Sequence, residues 1–307
     1  MNIREATHND IPQILKVLKA SLGEKSSKKT EEVWRYKHID NPFGGSLVLV
    51  AEEAREIVGV RAFMRWKWQK GEEIYSAFRA VDTATHPAHQ GKGIFKKLTL
   101  KALEIGKERG DHFVFNTPNA QSMPGYLKMG WKEVDKLNIQ LRPLNLLRTK
   151  TDNLENITSG KEGSIAALLS IYLKKLEASN RLFTPKDLVY IKWRYLENPL
   201  QNYVVIFEKD YFIAGYLKKR KKLNEFRVSE AIFSEIGRKE VKSAILKIAN
   251  SSGASVLSIS PNACLNFKTS IKGKFGPVLT YKPVNTNKSE FLNLKTWAYS
   301  LGDLELF

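Results

Sequence analysis

The amino-acid sequence predicts an α/β protein, layered in the α+β manner and made of two tandem copies of one unit, the second copy degenerate. Three observations carry that prediction. Compared with itself, the chain shows Trp34-Arg-Tyr-Lys-His-Ile-Asp-Asn-Pro42 returning as Trp193-Arg-Tyr-Leu-Glu-Asn-Pro199, and Pro118-Asn-Ala120 returning as Pro261-Asn-Ala263. Glu52 through Gly59 aligns without a gap on Glu208 through Gly215, as expected of a hairpin whose second strand carries one glycine. Strand-period and helix-period stretches also follow one another in the same order in both copies.

In copy one the pattern predicts a strand over Asn2–Ala6 and helices over Ile11–Ala20 and Thr30–Ile39, the second closing on the Trp34 anchor. The β-rich segment Leu47–Glu52 opens a run of strands through Val81. Next come a glycine-bearing turn and helix, a buried strand Phe113-Val-Phe-Asn-Thr117, a further helix, and one final strand near Lys132–Leu141. The polar stretch Thr149–Gly163 lacks apolar periodicity and contains turn formers, which makes it the linker between a domain at 1–148 and one at 164–307. Copy two repeats the order with helices over Ile165–Ala178 and Pro185–Leu196, then strands near Val204 and Phe226. The C-terminal stretch Trp297–Phe307 is apolar and is expected to be docked.

One strand–turn–helix stretch, from Asp82 to Phe95, is shaped to hold a pyrophosphate. Thr83, Ala84 and Thr85 end a β-branched run, His86-Pro87 stops it, and Gly91 and Gly93 permit backbone conformations closed to other residues. The helix that follows at Ile94 begins with free N–H groups able to face anionic oxygens, and Lys92, Lys96 and Lys97 lie in or beside its first turns. Gln90-Gly91-Lys92-Gly93 is neither a Gly-Lys-Ser/Thr phosphate loop nor a dinucleotide-binding glycine pattern.

The stretch resembles motif A of the GNAT acyltransferases, Gln/Arg-x-x-Gly-x-Gly/Ala, which maps onto Gln90, Gly93 and Phe95, with Phe95 standing where the family has a small residue. A second motif agrees. GNAT enzymes follow the next strand with Asn-x-x-Ala/Ser-x-x-x-Tyr and a Gly-aromatic step, reproduced in register by Asn119, Ser122, Tyr126, Gly130 and Trp131. The resemblance implies a bacterial tandem-GNAT acetyltransferase in which each copy is a mixed, mostly antiparallel twisted sheet flanked by helices. It implies coenzyme A, as acetyl-CoA, bound by Thr83, Ala84, Thr85, Gln90, Gly91, Lys92, Gly93, Ile94, Phe95, Asn119 and Ser122. Tyr126 then protonates the departing thiolate, and a backbone donor around Asp82–Thr85 faces the thioester carbonyl. Asp82 is a catalytic candidate as the base; Glu73 and the terminal carboxylate of Phe307 are the others. A packing role for Tyr126 is the structural alternative.

Copy two keeps the packing anchors without the chemistry. Ser234-Glu-Ile-Gly-Arg-Lys-Glu240 stands where the cradle should be, and Thr269 takes the place of Tyr126 when both are counted from Pro-Asn-Ala. Because both copies retain Trp-Arg-Tyr, that anchor reads as packing rather than substrate binding, and copy two reads as a structural pseudo-domain or as an acceptor wall.

Composition bounds the rest. The chain has 307 residues, 42% hydrophobic and 27% charged, which suits two globular domains. It has no apolar run of membrane-spanning length and a charged start, so a cytoplasmic protein with no membrane span is expected. The one cysteine, Cys264, is expected to be a buried thiol, and the five histidines lack ligand spacing, so no metal is expected. A net charge of +18 favours anionic partners. The run Lys218–Lys222 has no stacking aromatics inside it, so it reads as a solvated hairpin end and nucleic acid is disfavoured. The oligomeric state is not written in the sequence. The expected acceptor is the primary amine of a small molecule, an amino sugar, nucleotide-sugar or aminoglycoside-like compound. Carboxylates opposite the cradle would suit a polycation, basic residues a nucleotide-sugar. The rival readings are a Fem-type aminoacyl-tRNA ligase, or a non-catalytic acyl-CoA- or nucleic-acid-binding protein.

Overall fold

The computed structural model describes residues 1–24, 28–144, 158–219 and 223–304. In the first half these form β1 (Asn2–Glu5), α1 (Ile11–Leu22), α2 (Glu31–His38), β2 (Leu47–Glu53), β3 (Glu56–Lys70), β4 (Glu73–Thr85) and α3 (Ile94–Glu108), followed by β5 (Phe113–Asn116), α4 (Met123–Lys128), β6 (Lys132–Lys136) and β7 (Ile139–Pro143). The second half contributes β8 (Thr158–Ser159), α5 (Ala166–Ala178), α6 (Leu188–Ile191) and, after a π turn, β9 (Val204–Glu208), β10 (Tyr211–Lys218) and β11 (Glu225–Phe233). It ends with α7 (Arg238–Ser251), β12 (Val256–Ile259), β13 (Ile271–Gly273), β14 (Val278–Pro283) and α8 (Leu301–Leu304). The predicted helices at Ile11 and Thr30 are both present. Thr30 caps the second, its side chain accepting from the Val33 N–H at 3.3 Å.

The strands make two seven-stranded, mostly antiparallel sheets, ordered β1-β2-β3-β4-β5-β14-β6 and β8-β9-β10-β11-β12-β7-β13. The orders match position for position, and they show a reciprocal exchange. β14 of the second half lies between β5 and β6, while β7 of the first half lies between β12 and β13. The linear division at 148–164 therefore separates the sequence repeats but not the sheets. The single strand expected over Lys132–Leu141 is broken for this reason. At Leu137 the chain leaves the first sheet, its N–H donating to Pro277 O at 2.9 Å, and Asn138 exchanges two hydrogen bonds with Tyr299 Oη as it crosses.

Three further expectations change. The helix expected over Pro185–Leu196 is one turn at Leu188–Ile191 that widens into a π turn at Lys192–Leu196. Residues 149–157 of the expected linker lie outside the described residues, and Thr158–Ser159 at its end pairs with β9 as an edge strand. Cys264 is exposed, because its left-handed φ of 55° closes the short turn at Pro261–Ala263 on the surface.

The first sheet is covered on both faces. On one, α3 packs Ile94, Leu98 and Ala102 against Leu49, Phe63 and Phe78. On the other, Trp66, Trp68 and Phe115 join Trp193, Tyr195 and Trp297 in a core continuous between the halves. The two copies of the repeated anchor meet there. Tyr36 stacks on Trp193 at 5.0 Å between ring centroids, and the indole N–H of Trp193 donates to Tyr36 O at 2.9 Å. The C-terminal stretch is docked through Leu304. Arg79 of β4 donates to Asp303 O (3.1 Å) and Leu304 O (2.6 Å), and Lys186 Nζ bridges Glu230 (2.7 Å) and Asp303 (3.1 Å) in a fully buried cluster. Residues 305–307, including the Phe307 carboxylate, lie outside the described residues.

Candidate active site

The site begins with a split in the first sheet. β4 runs from Glu73 to Thr85 but pairs with β5 only over Ala77–Arg79, so from Ala80 onward the β5-side edge of β4 has no strand partner. That opening is the floor of a cleft of about 1820 Å³. Asp82 through Thr85, Gln90, Gly91, Gly93 through Phe95, Asn119, Ser122 and Tyr126 all line it, whereas Lys92 does not. Lys92 turns outward, its Nζ 3.4 Å from His89 Nδ1 and 3.8 Å from Glu53, and His89 is itself 3.0 Å from Glu53.

The cradle has the expected backbone. Gly91 and Gly93 adopt φ of 79° and 72°, and Gly93 caps α3 in the left-handed conformation. A Cβ at either would meet nothing within 4 Å, so the positive φ rather than crowding requires glycine. The helix ladder starts with Lys97 N–H to Gly93 O at 3.1 Å, so the amides of Ile94, Phe95 and Lys96 precede it with no helical carbonyl behind them. Gly59 of β3 lets that helix start come close, since a Cβ there would lie 2.6 Å from Ile94 Cγ2. These features fit a pyrophosphate: free amides, a dipole end and an open cleft in front of them.

Asn119 builds the next wall by accepting from the N–H groups of Gln121 (3.1 Å) and Ser122 (2.9 Å) and from Ser122 Oγ (2.9 Å) through its Oδ1. That turn starts α4 and delivers Tyr126 to the cleft. Phe95, the departure from the family pattern, seats its ring edge-on to Tyr126 at 5.6 Å and over Gly125, where a Cβ would lie 3.1 Å from the ring. The large side chain is thus accommodated against α4 by a glycine.

Behind Tyr126 lies a residue that sequence reading missed. Arg61 of β3 is fully buried, and its Nη1 donates to Tyr126 Oη at 2.7 Å and to Thr83 Oγ1 at 2.5 Å. Among the described residues its Nε and Nη2 have no hydrogen-bond partner, and the guanidinium lies 4.6 Å from the Phe63 ring centroid and 5.2 Å from that of Tyr126. Because the phenol oxygen accepts from Arg61, its own proton is turned away from the guanidinium.

Asp82 occupies a bulge. Arg61 faces Thr83 and Ala62 faces Val81, leaving Asp82 unmatched with φ of 35°, a strained value for this residue. Lys37 pairs with its Oδ2, and His38 Nε2 reaches the same atom at 3.0 Å. Burial alone would raise this carboxyl, but the Lys37 charge and the His38 hydrogen bond outweigh it and hold the group well below the usual carboxylate range. An ionised Asp82 only accepts, so His38 carries its proton on Nε2 and takes the Ser46 hydroxyl on Nδ1 at 2.8 Å. Burial pushes the His38 imidazole down, keeping it neutral near pH 7. Glu73 is at the far end of β4, about 30 Å of strand away, paired with Lys288 at 3.3 Å.

Sequence reading also passed over Lys37 and His38. Their signal was the difference between the repeats: Lys37-His38 becomes Leu196-Glu197 in the copy without a cradle, and Arg61 becomes Leu217. In that copy the loop before α7 is filled by its own protein. Ser234 Oγ accepts from Gly237 N–H at 3.1 Å, and a Cβ on Gly237 would lie 2.4 Å from Asp210 O. Cys264–Ser270, in the place of α4, holds no helix. Among the described residues no group of three or more His, Cys, Asp or Glu gathers as a metal would require, and no helix is long and apolar enough to cross a membrane.

Residues 2–134 match a family model described as an acetyltransferase (GNAT) domain. No curated protein sequence matches the chain. Solved structures share the fold across both halves. A GCN5-related N-acetyltransferase from Anabaena variabilis is similar with a TM-score of 0.64 at 12% identity, over 92% of this chain and 73% of that one. One from Kribbella flavida gives 0.63 at 14%, over 92% and 71%. Eis1 from Mycobacterium abscessus gives 0.58 at 11%, over 95% and 76%. At such identities the likeness speaks for the fold.

Proposed function

Residues 2–134 of this chain are a GNAT acetyltransferase domain, and from that premise we propose that the protein transfers an acetyl group from acetyl-CoA to the primary amine of a small molecule. The observation that carries the reading is the convergence of the α3 amides, the unpaired edge of β4 and Tyr126 on one cleft. Bound acetyl-CoA supplies an activated acetyl group whose transfer makes an N–C bond and breaks a C–S bond. The Ile94–Lys96 amides hold the pyrophosphate, with Gln90, Gly91 and Gly93 shaping the turn and Asn119 and Ser122 the opposite wall. Along β4, the Asp82–Thr85 stretch presents a backbone N–H on its open edge to the acyl carbonyl.

Tyr126 is the general acid. Arg61 holds its oxygen as an acceptor, so the phenol proton faces outward and is available to a departing thiolate. Asp82 orients the amine. Its contacts with Lys37 and His38 both fall on Oδ2, and among the described residues Oδ1 carries no hydrogen bond, so it can accept an amine N–H. Held so strongly in its ionised form, it positions the nucleophile, and water in the open cleft takes the surplus proton.

The test is Tyr126→Phe. Acetyl-CoA should still raise the melting temperature as it does in the wild type, while kcat with a reactive amine falls on the order of 10²-fold. Full turnover in the variant would remove Tyr126 from the chemistry.

A further inference from the structure

The cleft has a second wall, and the second half of the chain builds much of it. Pro199, Leu200, Tyr216 and Leu217 line it, beside Lys218 and Lys219, where the run expected to be a solvated hairpin end begins. Residues 220–222 lie outside the described residues. The lysines along the cleft are already engaged: Lys28, Lys29, Lys218 and Lys219 each interact within the protein, and Lys37 pairs with Asp82. What this wall offers a ligand without competing for such contacts is its uncharged side chains.

The repeat marks two of those side chains as departures. An asparagine before proline makes the same turn in each half, Asn41 Oδ1 accepting from Phe43 N–H at 2.9 Å and Asn198 Oδ1 from Leu200 N–H at 2.9 Å. In the first half that turn lays Phe43 on the core, 5.3 Å from the Trp66 ring, whereas in the second it delivers Leu200 to the cleft. Val60, one residue beyond Gly59, is fully buried. Its counterpart one residue beyond Gly215 is Tyr216, half-buried and lining the cleft. Two positions that serve packing in the first half thus face the cleft in the second.

The Tyr216 ring is held from behind. Tyr203 meets it edge-on at 5.5 Å between centroids, and Tyr203 is itself fixed edge-on to Tyr195 at 5.1 Å and by Arg194 Nη1 donating to its Oη at 2.8 Å. A ring fixed in this way is an apolar platform that loses little freedom when a ligand binds, and another ring packs on it stacked or edge-on.

Resting on the acetyltransferase reading, we propose that the acceptor is an amine carrying an aromatic ring, with its amino group at Asp82 and its ring against Tyr216 and Leu200. The degenerate half then selects the acceptor while the first half holds the coenzyme. An amino sugar or a polyamine brings no ring to this platform.

The test separates the wall from the coenzyme site. Acetylation of tryptamine, glucosamine and spermidine is measured with the whole chain at saturating acetyl-CoA. Tryptamine should have the highest kcat/KM, by about tenfold. Tyr216→Ala should raise the KM for tryptamine about tenfold with little change in kcat, Tyr216→Phe should restore it, and coenzyme A should raise the melting temperature of both variants as it does that of the wild type. The ranking of the three amines by the wild type stands whether or not Tyr216→Ala folds. Glucosamine or spermidine equalling tryptamine, none of the three being acetylated although coenzyme A binds, or a tryptamine KM indifferent to Tyr216→Ala would overturn the acceptor proposal. Failure to bind coenzyme A at all would instead defeat the acetyltransferase reading beneath it.

Discussion

Arg61 is a cost to packing, and the role proposed for it is to orient Tyr126. A fully buried guanidinium with two unpartnered nitrogens is a cost to the fold, only partly offset by the surrounding rings. Replacing it with an apolar side chain of similar length should therefore leave stability level or raise it, while removing the donor that orients Tyr126. Arg61→Met is expected to keep the wild-type melting temperature or exceed it and to lower kcat about tenfold at unchanged KM for acetyl-CoA; a loss of both together would make Arg61 a packing residue. His38 makes a pH-dependent prediction. Its folded-state pKa is depressed by burial, so the native state binds fewer protons than the unfolded chain, and the stability it confers is complete above about 6.5 and is lost as pH falls below that. Between pH 7.5 and 5.5 the wild type should lose stability more steeply than His38→Asn, by up to about 1.4 kcal/mol per pH unit. Parallel curves would show that the imidazole does not titrate across folding.

At the scale of elements, legibility followed locality. The cradle could be read because Gly91, Gly93 and Ile94 fall within four successive positions and the role proposed for them lies in their own backbone, and Tyr126 because it follows Asn119 by one helical turn and a loop. Arg61 and Lys37 were not legible in that way. Their partners Tyr126 and Asp82 are 65 and 45 positions away and become neighbours only when β3, β4 and α2 pack. Gly59 lies between these cases, since its place in the repeat was visible but its purpose was not. It admits Ile94 so that α3 can start at the cleft, whereas its counterpart Gly215 admits the Phe226 ring and Arg227 O. Gly59→Val should lift the start of α3, costing about 1–3 kcal/mol through overpacking and weakening coenzyme A binding well beyond the loss of stability. An unaltered coenzyme A affinity in that variant would separate helix position from cofactor binding.

For the whole molecule, the duplication was readable from Trp34 and Trp193, but its consequence was not. A sequence repeat records which segments are equivalent and says nothing of which sheet receives the last strand of each. Leu137 and Asn138 carry no feature that distinguishes a strand crossing to the other sheet from one that stays. The exchange makes each sheet incomplete without the other half, and the core around Trp66 and Trp193 is shared. Residues 1–148 produced alone should therefore be unfolded or aggregated, as should 158–307, while the two co-expressed should assemble into a soluble complex that binds acetyl-CoA; a cooperative melt from either fragment alone would contradict this.

The same exchange set a limit on how this protein could evolve. Ordinarily a duplicated domain that loses its activity can be trimmed away. Here the second half holds the strand that seals the first sheet, and the first half holds the strand that seals the second. The second half could lose a cradle and a tyrosine without opening either sheet, because neither belongs to an exchanged strand. It could not be lost itself. The duplication became a one-way step, after which the second half could change while staying in place, including in the segments it presents to the cleft.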